Sequence, residues 1–258
     1  MTRHAGLVTS ATYTTVLFDL DHTLLDSDAS EALAFESALR GIGIDEPHVH
    51  FREYDRINRA LWAGVERGEA LPARVRTLRF ERLLAAMRHD ADPVALADAF
   101  AVGLGVHGDL YPGALDMLEV VAAQATLALV TNGLSDVQRA RVDRLGIAQY
   151  FDAVVISAEV GASKPSTAIF DIAFERLGSP AKDGAVIVGD SLTSDIQGGI
   201  NYGIGTCWYN PHHREATNGS RFDHEIESLV HVIDVVGSRR GTIRTATQAH
   251  ADPHHRDE

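Results

Sequence analysis

The densest chemistry in the 258-residue chain lies in Thr15-Val16-Leu17-Phe18-Asp19-Leu20-Asp21-His22-Thr23. An apolar run that favours a strand ends in two aspartates one residue apart. Successive side chains on a strand point to opposite faces, so carboxylates at this spacing converge only where the chain bends. Two like charges held close repel unless a cation or a shared proton relieves them. The stretch therefore predicts a strand over residues 13–20 whose carboxyl end presents a paired-acid site with a metal. The alternative is a strand running into an acidic turn, where Asp is common.

Further polar residues stand at the ends of later apolar runs. Thr131 and Asn132 follow residues 126–130, and Asp190 follows 185–188, with Asp195 where the next helix begins. Lys164 sits in Ser163-Lys164-Pro165, just before a helical stretch. Only two of the 23 basic residues are lysines, Lys164 and Lys182, so a chain that otherwise uses arginine has a specific use for a compact point charge. Acids without soft ligands suit a hard cation of the magnesium kind. Hydroxyl, ammonium and the amides around Gly133 suit phosphoryl oxygens. In register with strand ends, these groups outweigh the acidic-turn alternative.

The elements that must position them fall into two styles. Capping residues 27–30 lead into a helix over 31–40, and residues 47–107 are helical throughout, with Phe51, Tyr54, Ile57, Leu61, Trp62 and Val65 at three- and four-residue steps. From residue 108 onward, strands alternate with helices. Strands are expected at 126–130, 153–156, 185–188 and 205–208, with helices at 112–123, 136–145 (capped by Ser135), 165–177, 195–201 and 228–236. Near-continuous apolar strands between helices imply an α/β fold: a Rossmann-like, doubly wound parallel sheet with an inserted α-helical cap subdomain. In such sheets the site lies beyond the carboxyl ends of the strands. The expected division is a core of 13–28 and 108–236, a cap of 29–107, and disordered tails at 1–12 and 238–258; His250, His254 and His255 belong to the second tail.

Composition bounds the rest. A net charge of −13 argues against nucleic-acid binding. No apolar run is long enough to span a bilayer, so no membrane role is expected. A single cysteine, Cys207, excludes an internal disulfide and fits a reducing cytoplasm, and its apolar surroundings mark it as packed core. Residues 47–90 hold nine arginines against six acids, a locally basic stretch that suits either an anionic substrate or a solvated face of ion pairs.

The elements Asp-x-Asp-x-Thr-Leu at 19–24, Thr-Asn-Gly at 131–133, Lys-Pro at 164–165 and Gly-Asp-Ser-x-x-x-Asp at 189–195 resemble, in this order, the haloacid dehalogenase-like phosphohydrolases. The resemblance implies that Asp19 is a nucleophile taking the phosphoryl group and that Asp21 is the acid and base. It implies that Thr131, Asn132 and Lys164 bind the phosphoryl oxygens. Mg2+ would be held by Asp19, Asp190, Asp195 and the backbone of Asp21. As an acid, Asp21 needs a pKa raised above about 3.9. It also argues against dehalogenation, since halide leaves without a proton.

Residues 130–138, 155–161, 198–201, 207–210 and 212–215 resemble the bacterial pyrimidine 5′-nucleotidases of this superfamily. That implies a pyrimidine nucleoside monophosphate as the small-molecule partner and a cap that closes over it, in a monomer or homodimer. Another small phosphate ester or a phosphosugar mutase reaction remains open, as does a catalytically silent binding protein.

Overall fold

The computed structural model describes residues 13–216, 219–237 and 244–245. The expected tails at 1–12 and 238–258 lie outside these residues, apart from Arg244–Thr245, which form a short strand. That pair departs from the expectation of disorder.

The chain begins with β1 (Thr15–Phe18) and then runs through four helices, α1 (Ser27–Gly41), α2 (His48–Glu66), α3 (Pro72–Met87) and α4 (Pro93–Val106). It returns through α5 (Ala114–Ala122), β2 (Thr126–Thr131), α6 (Ser135–Arg144), β3 (Ala153–Ile156), α7 (Ser157–Val160) and α8 (Thr167–Arg176). β4 (Ala185–Gly189), α9 (Gln197–Tyr202), β5 (Gly205–Tyr209), β6 (Arg221–Phe222), β7 (His224–Ile226), α10 (Val232–Gly237) and β8 (Arg244–Thr245) complete it.

Six strands form one parallel sheet in the order β3-β2-β1-β4-β5-β7, and β6 pairs antiparallel with β8. Alternate residues feed two separate cores. Val16 and Phe18 pack towards α5 and α10, whereas Leu17, Ala128, Val130 and Ile187 pack towards Phe170 and Tyr202 on the other face. This is the α/β, doubly wound arrangement that the apolar strands require, since a parallel sheet must be covered on both sides. Cys207 lies buried in the first of these cores, where burial pushes its thiol up.

The four helices after β1 hold a third core around Phe35, Tyr54, Phe80 and Phe100. Leu134 and Val137 at the start of α6 join it, so these helices rest on the sheet layer. The chain enters and leaves them through adjacent segments. Leu25 and Leu110 form an antiparallel bridge, the Asp26 N–H donates to the Asp109 carbonyl at 3.0 Å, and the Tyr111 N–H donates to the Leu24 carbonyl at 2.8 Å.

Several boundaries differ from expectation for local reasons. α1 starts at Ser27 because Asp26 caps it, accepting the Ala29 N–H. Ser135 is not a cap: Leu134 holds that position, and the Ser135 hydroxyl donates to Glu159 at 2.7 Å. α8 starts at Thr167 with Ser166 as its cap, so Lys164 lies in the preceding loop rather than against the helix. The helix expected at 195–201 is a wide turn, Leu192–Ile196, followed by α9. Residues 228–236 form a tight turn, Leu229–His231, before α10. β7 was not expected at all.

Candidate active site

Strand ends build the floor of one cavity of about 480 Å³. Asp19 follows the last residue of β1 directly, so the strand is shorter than expected and the acid sits beyond it. Its Oδ1 receives the Lys164 ammonium at 2.5 Å, and its Oδ2 the Thr23 hydroxyl at 3.3 Å. Lys164 is 1% exposed and also reaches the Val130 carbonyl at 2.6 Å and Asp195 Oδ1 at 2.8 Å. All three ammonium hydrogens are therefore used. The other lysine, Lys182, stands 3.3 Å from the centre of the Tyr202 ring and donates to the Tyr202 carbonyl at 3.1 Å.

Asp195 explains why β4 ends in glycine: a Cβ on Gly189 would stand 2.3 Å from the Asp195 carboxylate. Asp190 is tied to the same group, since its N–H donates to the Thr23 hydroxyl at 3.0 Å. Its carboxylate receives Arg214 at 3.2 Å.

Carboxylate oxygens of Asp19, Asp190 and Asp195 lie within 4.8 Å of one another. The crowding shows in their electrostatics. Burial pushes Asp19 well above the ordinary carboxylate range against Lys164, and Asp195, Asp190 and Asp21 push the same way as burial. Asp190 is pushed up to about 6 by burial and then Asp195, opposed by His22 and Arg214. Burial alone would discharge Lys164, but Asp19 and Asp195 outweigh it and hold it protonated. Three acids against the Lys164 ammonium and the Arg214 guanidinium leave excess negative charge. An oxygen-only donor set of this kind fits magnesium.

Asp21 turns away from that group. Its Oδ1 accepts from Arg141 and from the Ser27 hydroxyl, both at 2.6 Å, and its Oδ2 accepts from Gln138 at 2.6 Å. Its carboxylate is thus not among the three clustered acids. Burial raises its pKa, but Arg141, Ser27, His22 and Gln138 together outweigh burial and leave it below the ordinary range. That is the opposite of the rise expected for an acid.

The expected phosphate binders are also engaged. The Thr131 hydroxyl is fully buried, accepts from Gln138 at 2.7 Å and does not line the cavity. Asn132 does line it, yet its amide clamps the Lys164 backbone, accepting from the N–H and donating to the carbonyl, each at 2.9 Å. The Gly133 N–H donates to the Ser157 hydroxyl at 3.0 Å. Asn132 therefore fixes the loop that carries Lys164.

The far end of the cavity comes from α1, α2 and α3. Glu31 Oε1 accepts from the Tyr54 hydroxyl at 2.6 Å and from Asn58 at 2.7 Å. Arg79 is 2% exposed, with its guanidinium carbon 4.5 Å from the centre of the Phe100 ring. It reaches Asn58 Oδ1 at only 3.4 Å, and its Nε and Nη2 have no hydrogen-bond partner among the described residues. A buried donor left unpaired costs roughly 1–3 kcal/mol. Between floor and roof, the Thr193 hydroxyl donates to Glu66 on α2 at 2.9 Å.

Arg141 and Gln138 escaped the sequence reading because α6 has no local signature. An arginine three residues after a glutamine on a largely polar helix is its only trace. The roof residues left a clearer sign: Asn58 and Arg79 stand among the apolar positions of their helices.

The floor and the sheet together define a hydrolase class. The chain belongs to the haloacid dehalogenase-like hydrolases, whose sequence model matches residues 13–203. It is 36% identical over 204 residues to the pyrimidine 5′-nucleotidase YjjG of Escherichia coli, covering 79% of this chain and 89% of that one. With the pyrimidine 5′-nucleotidase PynA of Streptococcus pneumoniae it shares 34% over 223 residues, 86% of this chain and 94% of that one. The crystal structure of the HAD-hydrolase YfnB from Bacillus subtilis, bound to magnesium and described as revealing interdomain movement, matches with a TM-score of 0.80. The identity is 32%, over 87% of this chain and 99% of that one. Within the family the chain is a phosphoric monoester hydrolase. No helix among the described residues is long and apolar enough to cross a membrane.

Proposed function

We propose that this chain is a magnesium-dependent phosphatase of pyrimidine nucleoside 5′-monophosphates that works through an aspartyl phosphate on Asp19. The observation that carries the chemistry is the Asp19 carboxylate held 2.5 Å from a buried ammonium at the floor of a cavity. A carboxylate approaching a phosphoryl group is a meeting of two anions, and Lys164 cancels part of that repulsion. Magnesium, held by Asp19, Asp190 and Asp195, supplies the remaining positive charge when bound.

Asp19 attacks phosphorus and the nucleoside oxygen leaves with the bonding pair, giving the acyl phosphate. Asp21 gives that oxygen a proton, then takes one from the water that cleaves the acyl phosphate. A lowered pKa keeps Asp21 ionised, the form in which it can accept a proton. Its work as an acid requires Arg141 to withdraw. Arg141 and Gln138 are positioning residues in this reading. Residues 13–28 and 108–236 act as the catalytic core, with 29–107 as a cap that closes over the substrate and excludes water.

The pyrimidine nucleotide enters from the two nucleotidases named above, which this chain matches over most of its length. A panel of phosphate esters tests it. Uridine and thymidine monophosphates are expected to have the highest kcat/KM; equal rates with phosphoglycolate or sugar phosphates would remove the nucleotide. Aryl phosphate hydrolysis persisting in Asp19→Asn would remove the nucleophile.

A further inference from the structure

We infer that Glu31, Asn58 and Arg79 form the specificity-determining site for the leaving group, binding a flat heterocycle edge that offers a carbonyl beside an N–H. The imide edge of uracil or thymine has that pattern. This rests on the nucleotidase reading of the floor.

Four observations carry it. Glu31, Asn58 and Arg79 line the same cavity as Asp19, but come from α1, α2 and α3. Arg79 offers buried donors at Nε and Nη2 that have no hydrogen-bond partner among the described residues. Glu31 offers an acceptor: both of its hydrogen bonds fall on Oε1, leaving Oε2 without a partner among the described residues. Trp62, Leu134 and Val137 supply apolar wall between them and the floor.

A purely structural arginine would close on its nearest acid. Arg79 instead makes no ion pair within 4.0 Å among the described residues, although Glu31 is near enough to feel its charge. Donors next to an acceptor match a carbonyl next to an N–H. Both halves are already held, Arg79 between Phe80 and Phe100 and Glu31 by Tyr54 and Asn58. A ligand therefore meets a preorganised edge and bears little ordering cost. Sugar hydroxyls, which rotate and both donate and accept, gain less from such a fixed pattern. Buried groups left unpaired are what gives a polar site its selectivity.

The test compares UMP, ribose 5-phosphate and 3-methyluridine 5′-monophosphate, whose N–H is blocked, on the wild type, Glu31→Gln and Arg79→Gln. Wild type is expected to favour UMP over the methylated nucleotide by about 100-fold in kcat/KM. Glu31→Gln keeps the shape and the Tyr54 contact but replaces the free acceptor with a donor. It should lower kcat/KM for UMP by about 100-fold and leave ribose 5-phosphate within about twofold. Arg79→Gln should act likewise. Should Arg79→Gln fail to fold, Glu31→Gln and the methylated substrate decide alone. A parallel fall for UMP and ribose 5-phosphate overturns the inference, as does indifference to the methyl group. A wild type that prefers UMP and keeps that preference in both variants overturns this inference alone. A wild type that never prefers UMP to ribose 5-phosphate removes the nucleotidase reading beneath it.

Discussion

The two ends of the cavity are built by opposite rules. At the floor nearly every polar atom has a partner: Lys164 spends all three hydrogens, and Asp21 accepts from three side chains. At the roof Arg79 is just as buried and holds two donors with no partner among the described residues. Chemistry needs groups fixed to fractions of an ångström, and saturated hydrogen bonding fixes them. Recognition needs unspent hydrogen bonds, because a group already satisfied gains nothing from a ligand. Saturation marks the floor, and vacancy the Arg79 corner of the helical roof.

That contrast can be broken by substitutions at either end. The largest effect is expected at the floor, where Asp19→Asn should lower kcat on every substrate by at least about 10,000-fold while the fold persists. Circular dichroism beside steady-state rates checks it. Removing divalent cations with a strong chelator should abolish turnover, and added magnesium should restore it. Gly189→Ala should come next. The new methyl displaces the Asp195 carboxylate, so kcat should fall by about 100-fold and thermal stability by the 1–3 kcal/mol, roughly, of an overpacked site.

A milder loss is expected from Thr193→Val, which removes the hydrogen bond to Glu66 between roof and floor. KM should rise about fivefold with kcat nearly unchanged, since one exposed hydrogen bond is worth about 1 kcal/mol. The smallest effect sharpens the contrast. Burial pushes the Glu31 carboxyl above its ordinary range, with Asp21 adding and Tyr54, Arg79 and His22 opposing. A carboxyl raised on folding contributes stability fully below its unfolded pKa of about 4.3 and loses it as pH rises through the folded value. Glu31→Gln should therefore raise Tm slightly near neutral pH and not in acid. Melting curves at both pH values check it, and a lower Tm near neutrality would mean the roof is built for stability.

Legibility followed the same divide. Asp19 and Asp190 stand just beyond strand ends, and Lys164 and Asp195 in the segments that lead from β3 to α8 and from β4 to α9; a parallel sheet gathers such segments at one edge, so chain position pointed to them. The state of Asp21 was hidden, because it depends on Arg141, 120 positions away on a helix surface that carries no motif. Thr131 and Asn132 were placed correctly in the chain but not in their contacts; nothing local says that Gln138 and the Lys164 backbone claim them. β7 escaped because three residues are too few for period-two alternation to register. The roof residues meet only through the packing of three helices, an arrangement that no short segment encodes.

The paired entry and exit of the helical segment has a further consequence. Leu24, Leu25 and Asp26 are hydrogen-bonded or bridged to Asp109, Leu110 and Tyr111, so the segment's two ends are closed on each other before any helix begins. Lengthening, shortening or exchanging what lies between them leaves the strand register beneath untouched. The fold is thereby divisible: the helical segment can vary or be exchanged as one piece between its paired ends, while the sheet that carries Asp19 and Asp190 keeps its connectivity.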